Sequence, residues 1–347
     1  MNSIERFYAT IERKPVDRPA CWLGDPTLAA VPALCDYYGV KDIKELKAKC
    51  GDDFYAVEIP YHSEHCNAIF AAFDWYMNGS NVDTEKRTLT ADGCFAHCED
   101  IDDIKAVNFP WPDPEKYIDP DLCRKLVDEA PKDKTVMGML WACHFQDFCA
   151  SFGMQTALMN MVSDPEMVHY VDDKIVAFYL KAMEIFLDAT KGKVHAMLIG
   201  DDVGSQRGLM ISPALISEFV LPGAKKLIDL AHSYGVKIIY HSCGSIFDAI
   251  PLYIEAGVDA LHPIQALAAN MDAKTLHDNY AGKVSFCGGV DTQELLPMGT
   301  PEQVKAKVRE LRELFPTGLI ISPSHEGLQA DVPPANVKAL FDAATEM

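Results

Sequence analysis

The sequence predicts an α/β protein with one closed (β/α)8 TIM barrel, because eight short apolar segments alternate with helical segments along its 347 residues. We expect strands at residues 20–23, 54–59, 135–142, 195–199, 237–241, 260–263, 284–287 and 319–321. A doubly wound open sheet is the alternative. No Gly-x-Gly-x-x-Gly sequence follows an early strand, so dinucleotide binding on such a sheet is not indicated.

The segments between the predicted strands have helical spacing, with apolar residues at i, i+3 and i+4. The clearest of them cover residues 165–190, 213–234, 246–256 and 301–315. Two begin with a strong start signal, because Asp164 and Thr300 can each cap a helix whose first residue is proline. The order of these segments and strands is that of a barrel with helices on its outside.

One gap in this pattern is much longer than the others. We expect residues 1–347 to form a single barrel domain, yet residues 60–135 separate its second and third strands. This segment is rich in His, Cys, Asp and Pro, and connections of such length often carry function. The sequence therefore predicts an insertion after the second strand that forms a lid within the domain.

Composition excludes several classes of partner. The formal net charge is −20 and the pI is about 4.9, so binding to nucleic acid or to an anionic membrane is not expected. No apolar run is long enough for a membrane span, and the first residues lack the core of a signal peptide. We therefore expect a cytoplasmic protein, in which the 11 cysteines are reduced thiols or metal ligands rather than disulfides.

The most informative residues are His241 and Cys243, at the end of the fifth predicted strand. Side chains two apart on a strand point the same way, so an imidazole and a thiol share one face at the mouth of the barrel. This pair is half of a zinc site. His325, at the end of the last strand, is the best third ligand, and Cys287 is the second choice. The segment 94–98 (CFAHC) is a weaker candidate for metal binding.

Other polar residues follow the strands at the same end of the barrel, where such folds hold their active sites. Asp202 follows a strand and a glycine, and we consider two roles for it: a structural cap or salt bridge, or a catalytic residue and metal ligand. The expected substrate-binding residues are Glu58, Gln206, Gln265 and Asp291. Asp291 follows two glycines, which allow close approach of the backbone.

Several motifs resemble the uroporphyrinogen decarboxylase superfamily. They are residues 14–19 (KPVDRP), 200–213 (GDDVGSQRGLMISP), 241–245 (HSCGS), 255–265 (EAGVDALHPIQ), 288–293 (GGVDTQ) and 296–301 (LPMGTP). The resemblance implies a single barrel. Its metal-free decarboxylases carry an arginine-rich signature after the first strand, whereas residues 21–28 (CWLGDPTL) contain no arginine.

The other branch of the superfamily, the cobalamin-linked methyltransferases, is similar in its His-x-Cys-Gly motif. This resemblance implies zinc held by His241 and Cys243, and a corrinoid protein as the partner that carries the methylcobamide. Relatives that use coenzyme M have a further cysteine near the last strand, where this chain has residues 322–325 (SPSH). Residues 324–334 (SHEGLQADVPP) resemble relatives that include O-demethylase methyltransferases, which act on methoxy compounds.

The sequence thus predicts a zinc-dependent methyltransferase that moves a methyl group between a small methylated substrate and a corrinoid protein. A methoxy compound is one substrate that the resemblance allows, and the methyl donor and acceptor stay open. Two alternatives stay open at this point. One is a metal-free lyase that resembles uroporphyrinogen decarboxylase and acts on a carboxylated substrate, and the other is a non-catalytic binding or assembly subunit.

Overall fold

The computed structural model describes residues 1–74, 77 and 91–346, and it contains eight parallel strands. The strands are β1 (Ala20–Cys21), β2 (Phe54–Glu58), β3 (Thr135–Met139), β4 (Ala196–Gly200), β5 (Lys237–His241), β6 (Ala260–Ile264), β7 (Ser285–Val290) and β8 (Leu319–Pro323). Their order is β1-β8-β7-β6-β5-β4-β3-β2. Helices alternate with the strands, so the predicted TIM barrel fold is confirmed.

The helices surround this sheet. They span Ser3–Ile11, Val31–Tyr38, Ile43–Cys50, Ile101–Val107, Pro114–Tyr117, Pro120–Asp128, His144–Phe152, Met154–Ser163, Pro165–Ala189, Pro213–Leu215, Leu221–Ser233, Ile250–Ala256, Ala273–Tyr280, Leu295–Met298, Pro301–Leu314 and Pro334–Thr345. The side chains of Asp164 and Thr300 cap their helices as the sequence predicts. No helix in the described part of the chain is long and apolar enough to cross a membrane.

Between β1 and β2, the side-chain carboxylates of Asp52 and Asp53 accept hydrogen bonds from backbone amides of the neighbouring strand. The backbone amide of Asp53 donates to the carbonyl of Cys21 at 2.9 Å, and the Asp53 carboxylate accepts from the amide of Cys21. The Asp52 carboxylate accepts from the amides of Leu23 and Phe54 at 3.0 and 2.8 Å. These carboxylates take the place of strand carbonyls, so the buried amides at the seam are satisfied.

The long connection between β2 and β3 packs against the barrel wall. Its last helix, Pro120–Asp128, leads into β3 as an ordinary barrel helix does. Earlier in the connection, the ring of Phe73 lies 5.0 Å from that of Phe178 on the helix Pro165–Ala189. Residues 75–76 and 78–90 of the predicted insertion lie outside the described residues.

Candidate active site

The polar ends of β4 and β5 meet at the carboxyl end of the barrel. β5 ends at His241, and alternation along the chain brings Cys243 to the same side. The Sγ atom of Cys243 lies 3.3 Å from Nε2 of His241, and the Oδ1 atom of Asp202 lies 3.4 Å from that same nitrogen. Asp202 also accepts a hydrogen bond from the amide of Cys243 at 2.7 Å. We call Asp202, His241 and Cys243 the ligand cluster.

A glycine at the end of β4 makes this approach possible. A Cβ atom on Gly200 would lie 1.9 Å from the carbonyl oxygen of His241, which no real structure tolerates. Only hydrogen fits between the two strands at this point. Gly200 therefore brings β4, and the Asp202 that follows it, against the end of β5.

The ligand cluster fits a zinc ion. One nitrogen, one sulfur and one carboxylate oxygen lie within 4.8 Å of one another. Zinc binds these atoms at about 2.0 to 2.3 Å in tetrahedral geometry, which separates neighbouring ligand atoms by about 3.4 to 3.6 Å. The separations of 3.3 and 3.4 Å around His241 Nε2 are close to those values. Three protein ligands leave a fourth position for a substrate atom.

The opposite edge of the His241 ring faces a second pair of polar residues. Its Nδ1 atom lies 2.9 Å from Nδ1 of His262 and 3.4 Å from Oε2 of Glu326. Oε2 of Glu326 is buried and has no hydrogen-bond partner among the described residues. A metal-bound histidine usually donates its other ring N–H to a carboxylate or a similar acceptor. Glu326 and His262 are placed to accept that proton when Nε2 binds a metal.

The electrostatics of the cluster favour ionised ligands. Burial opposes ionisation of the Cys243 thiol, but hydrogen bonds from His241 and His325 outweigh it and lower its pKa. Burial likewise opposes the charge on Asp202, yet its hydrogen bond with His241 lowers its pKa. The pKa of His262 is well below the usual histidine range because the ring is buried beside other histidines. Cys243 and Asp202 are therefore predisposed to bind a cation.

His325 lies beside the ligand cluster rather than within it. Its ring centroid is 6.2 Å from that of His241 in an edge-on arrangement, and its Nδ1 atom accepts from the amide of Gly327 at 2.9 Å. The ring still lies near enough to the Cys243 thiol to help lower the pKa of that thiol. The position that we expected for His325 in the cluster is taken by Asp202.

Cys287, the second choice for a ligand, lies away from the ligand cluster. Its side chain is fully buried inside the barrel, three residues before the end of β7, in an apolar cluster with Ala20 and Ile320. Burial raises the pKa of its thiol far above the usual range. This cysteine is a core residue, as free cysteines often are.

Two of the expected substrate-binding residues hold the backbone instead. The Oε1 atom of Gln265 accepts from the amide of Gly244 at 2.6 Å and so fixes the loop that carries Cys243. The carboxylate of Asp291 accepts hydrogen bonds from the backbone amides of residues 293–295. Gln206 is exposed on the loop after β4. None of the three belongs to the lining of the cavity described next.

A cavity of about 570 Å³ opens beside the ligand cluster. Glu58, at the end of β2, lines it as the sequence predicts for a residue that faces the substrate. Burial and the nearby charge of Asp25 raise the pKa of Glu58 to about 7. Glu326 and Trp141 join the cavity to the cluster, because both line it and both contact His241. Phe70 shows that the connection between β2 and β3 contributes to the wall.

Sequence reasoning did not assign four residues of this site: Asp25, Trp141, His262 and Glu326. Asp25, Trp141 and Glu326 each follow a barrel strand, and that position was the available signal, whereas His262 lies in the middle of β6. Gly24 explains one of these placements. With φ at +80°, it lets the chain after β1 approach Glu326, so that the amide of Asp25 donates to the Glu326 carbonyl at 2.8 Å.

The fold and the site define a parallel eight-stranded barrel of the enzyme type, with a metal-capable cluster and a cavity at the carboxyl ends of its strands. The chain belongs to the uroporphyrinogen decarboxylase (URO-D) family, whose sequence model matches residues 2–347. The family predicted from the motifs is therefore confirmed.

Two methyltransferases of the family and one solved structure are similar to the chain. A methylcobamide:CoM methyltransferase, MtbA, of Methanosarcina mazei is 25% identical over 352 residues, which cover 98% of this chain and 96% of the relative. A methylated-thiol–coenzyme M methyltransferase of the same organism is 27% identical over 53% of this chain and 46% of its own length. The solved structure of a methyltransferase from Methanosarcina mazei superposes with a TM-score of 0.69 at 17% identity, covering 99% of this chain and 98% of that one. This last likeness supports the fold.

Proposed function

We propose that this protein is a zinc-dependent methyltransferase that moves a methyl group between a small methylated substrate and a corrinoid protein. The observation that carries the proposal is the ligand cluster of Asp202, His241 and Cys243 at the edge of a cavity large enough for a small substrate. The similarity to a methylcobamide:CoM methyltransferase over nearly the whole chain supports methyl transfer and a corrinoid partner.

In this proposal, Asp202, His241 and Cys243 hold the metal. Zinc bound there supplies Lewis acidity toward the heteroatom that carries or receives the methyl group. His262 at 2.9 Å and Glu326 at 3.4 Å are the acceptors placed to hold the proton of His241 Nδ1, which keeps Nε2 directed at the cluster. Asp202 has a second task, because its hydrogen bond to the Cys243 amide fixes the loop that presents the thiol.

The remaining residues bind and orient the substrate. Trp141 packs edge-on against His241, with ring centroids 6.3 Å apart, and forms the cavity wall nearest the cluster. Glu58 faces the same cavity from β2. A substrate between these walls places its heteroatom at the cluster and leaves the methyl group for the corrinoid protein, which approaches from the carboxyl end of the barrel.

The residues that line the cavity give less support to the alternative function, a metal-free lyase that acts on a carboxylated substrate. No described residue that lines it is Lys, Arg or His, so it offers no cation to grip substrate carboxylates. The carboxylates of Asp25, Glu58 and Glu326 line it instead, and negative charge there repels such a substrate.

A spectroscopic assay tests the proposal. Zinc-loaded protein is mixed with reduced cob(I)alamin and a panel of methoxy, N-methyl and S-methyl compounds, and the formation of methylcobalamin is followed by absorbance. The reverse reaction, from methylcobalamin to alcohols, amines and thiols, is run in parallel. We expect turnover in at least one direction, with a loss of about 100-fold or more in Cys243→Ala.

The matched control is Cys98→Ala, because Cys98 is partly exposed and the segment 94–98 contributes no residue to the metal-capable groups in the described part of the chain. It should retain the activity of the unmodified protein. Absence of turnover with every donor and acceptor, or equal turnover in the Cys243→Ala variant, would contradict the proposal.

A further inference from the structure

Among its described lining residues, the cavity has acidic side chains and no basic ones. Five of its lining residues carry carboxylates, and none of its described lining residues carries a positive charge. They are Asp25, Glu58, Asp74, Asp147 and Glu326. Three of them, Asp25, Glu58 and Glu326, come from the ends of β1, β2 and β8 and carry the argument that follows. An anionic ligand in this cavity would face several like charges at short range.

One carboxylate is poised to receive a ligand. The Oε1 atom of Glu58 is buried and has no hydrogen-bond partner among the described residues. Burial and the charge of Asp25 raise its pKa to about 7, and a bound cation would oppose that rise. A buried carboxylate oxygen without a partner is costly, and a bound cation would remove that cost.

Aromatic walls stand beside these carboxylates. The indole of Trp141 lines the cavity near the ligand cluster, and the ring of Phe70, which is 54% exposed, lines it too. The face of an aromatic ring attracts ammonium groups, most strongly when carboxylates lie close by and water is excluded. Acidic and aromatic side chains together are the usual lining of sites for small organic cations.

From this lining we infer that the substrate carries a cationic, ammonium-type group in addition to the heteroatom that exchanges the methyl group. The cation lies between Glu58, Asp25 and the aromatic walls. The heteroatom reaches the ligand cluster past Trp141 and Glu326, the two residues that join cavity and cluster.

This inference rests on the proposed function and narrows it. It replaces the neutral methoxy compound, which the sequence resemblance allows, with a small methylated alcohol, thiol or ether that bears a positive charge. A methyl acceptor with an anionic tail fits this cavity poorly, because the tail would lie beside the carboxylates that line it.

Binding calorimetry with three probes of matched shape tests the inference on the zinc-loaded protein. The probes are choline, its uncharged isostere 3,3-dimethyl-1-butanol, and the anion 2-hydroxyethanesulfonate, which share a two-carbon hydroxyl arm. We expect choline to bind at least about tenfold more tightly than the isostere, and the anion to show no measurable binding.

Two variants assign the preference to the cavity. Glu58→Gln and Trp141→Leu should each reduce the ratio of choline to isostere affinity by about threefold or more, whereas Glu255→Gln should not change it. Glu255 is an exposed acid on the helix Ile250–Ala256, outside the cavity lining. Equal affinity for choline and the isostere, or tighter binding of the anion, would overturn the inference.

The two proposals can fail separately. Methyl transfer from a neutral donor without any preference for choline would remove the cationic substrate and leave the methyltransferase. A preference for choline without methyl transfer in any direction would leave the cation site and remove the methyltransferase.

Discussion

The Nδ1 atom of His241 lies 3.4 Å from Oε2 of Glu326, on the edge of the imidazole opposite the Cys243 thiol. The ring therefore joins the ligand cluster to a buried carboxylate. Such a carboxylate fixes the ring orientation and makes the ligand nitrogen more basic. The site thus extends one residue beyond the atoms that would contact a metal.

We expect Glu326→Gln to weaken zinc binding by about 10- to 100-fold, because the amide is a poorer acceptor for the His241 N–H. Competition with a chromogenic chelator measures the affinity, and circular dichroism checks that the fold is retained. Zinc affinity equal to that of the unmodified protein would show that Glu326 does not support His241.

Asp202 and His325 are the two candidates for the third zinc ligand, and the zinc affinities of their variants distinguish between them. Asp202→Asn removes an anionic ligand that lies 3.4 Å from His241 Nε2, so zinc affinity should fall by about 100-fold or more. His325→Ala removes a neighbour that helps to lower the pKa of the Cys243 thiol, and the loss of zinc affinity should be about tenfold or less. The reverse order, measured in the same chelator competition, would make His325 the ligand.

Gly200 should tolerate no side chain. In Gly200→Ala the new Cβ would lie 1.9 Å from the His241 carbonyl oxygen, and we expect the free energy of unfolding to fall by about 3 kcal/mol or more. Gly192→Ala is the control, because its Cβ meets no atom within 4 Å and only its φ of +75° costs about 1 kcal/mol. Urea unfolding compares them, and equal losses would refute the close approach of β4 and β5.

The seam between β1 and β2 predicts a dependence of stability on pH. Burial raises the pKa of Asp52 to about 6, above an ordinary value of about 4. The folded protein therefore holds this proton more tightly than the unfolded chain does. Between about pH 4 and pH 6 the folded state is the more protonated, so the contribution of Asp52 to stability falls as pH rises, by about 3 kcal/mol at most.

Asp52→Asn removes this titration. The difference in free energy of unfolding between the unmodified protein and the variant should shrink as pH rises from 4 to 7, since other groups titrate alike in both. Urea unfolding at each pH gives the difference. A difference that stays constant across this range would contradict the raised pKa.

Local rules explain which parts of the site could be predicted. His241 and Cys243 share one strand end, so alternation alone predicts that they face the same way, and the structure places their ligand atoms 3.3 Å apart. The barrel itself was predictable because its strands and helices alternate regularly. Glu58 followed from its position at the end of β2.

The other residues depend on contacts between distant parts of the chain. Glu326 reaches His241 only because barrel closure brings the segment after β8 near the end of β5, and no spacing in the sequence encodes that distance. Gln265 and Asp291 also follow strands, but neighbouring backbone amides occupy their oxygens. Cys287 faces the barrel interior too deeply to reach the mouth. Position at a strand end thus indicates a region, and the tertiary contacts decide the role.

Metal content tests the central claim most directly. The protein, prepared in zinc-supplemented medium and dialysed, is analysed by mass spectrometry beside Cys243→Ser and Cys98→Ser, and each is also loaded with cobalt(II). We predict about one zinc per chain, retained in Cys98→Ser and lost in Cys243→Ser, and a thiolate-to-cobalt absorption band only where Cys243 is present. A metal-free protein, or undiminished zinc and the same band in Cys243→Ser, would contradict the zinc site.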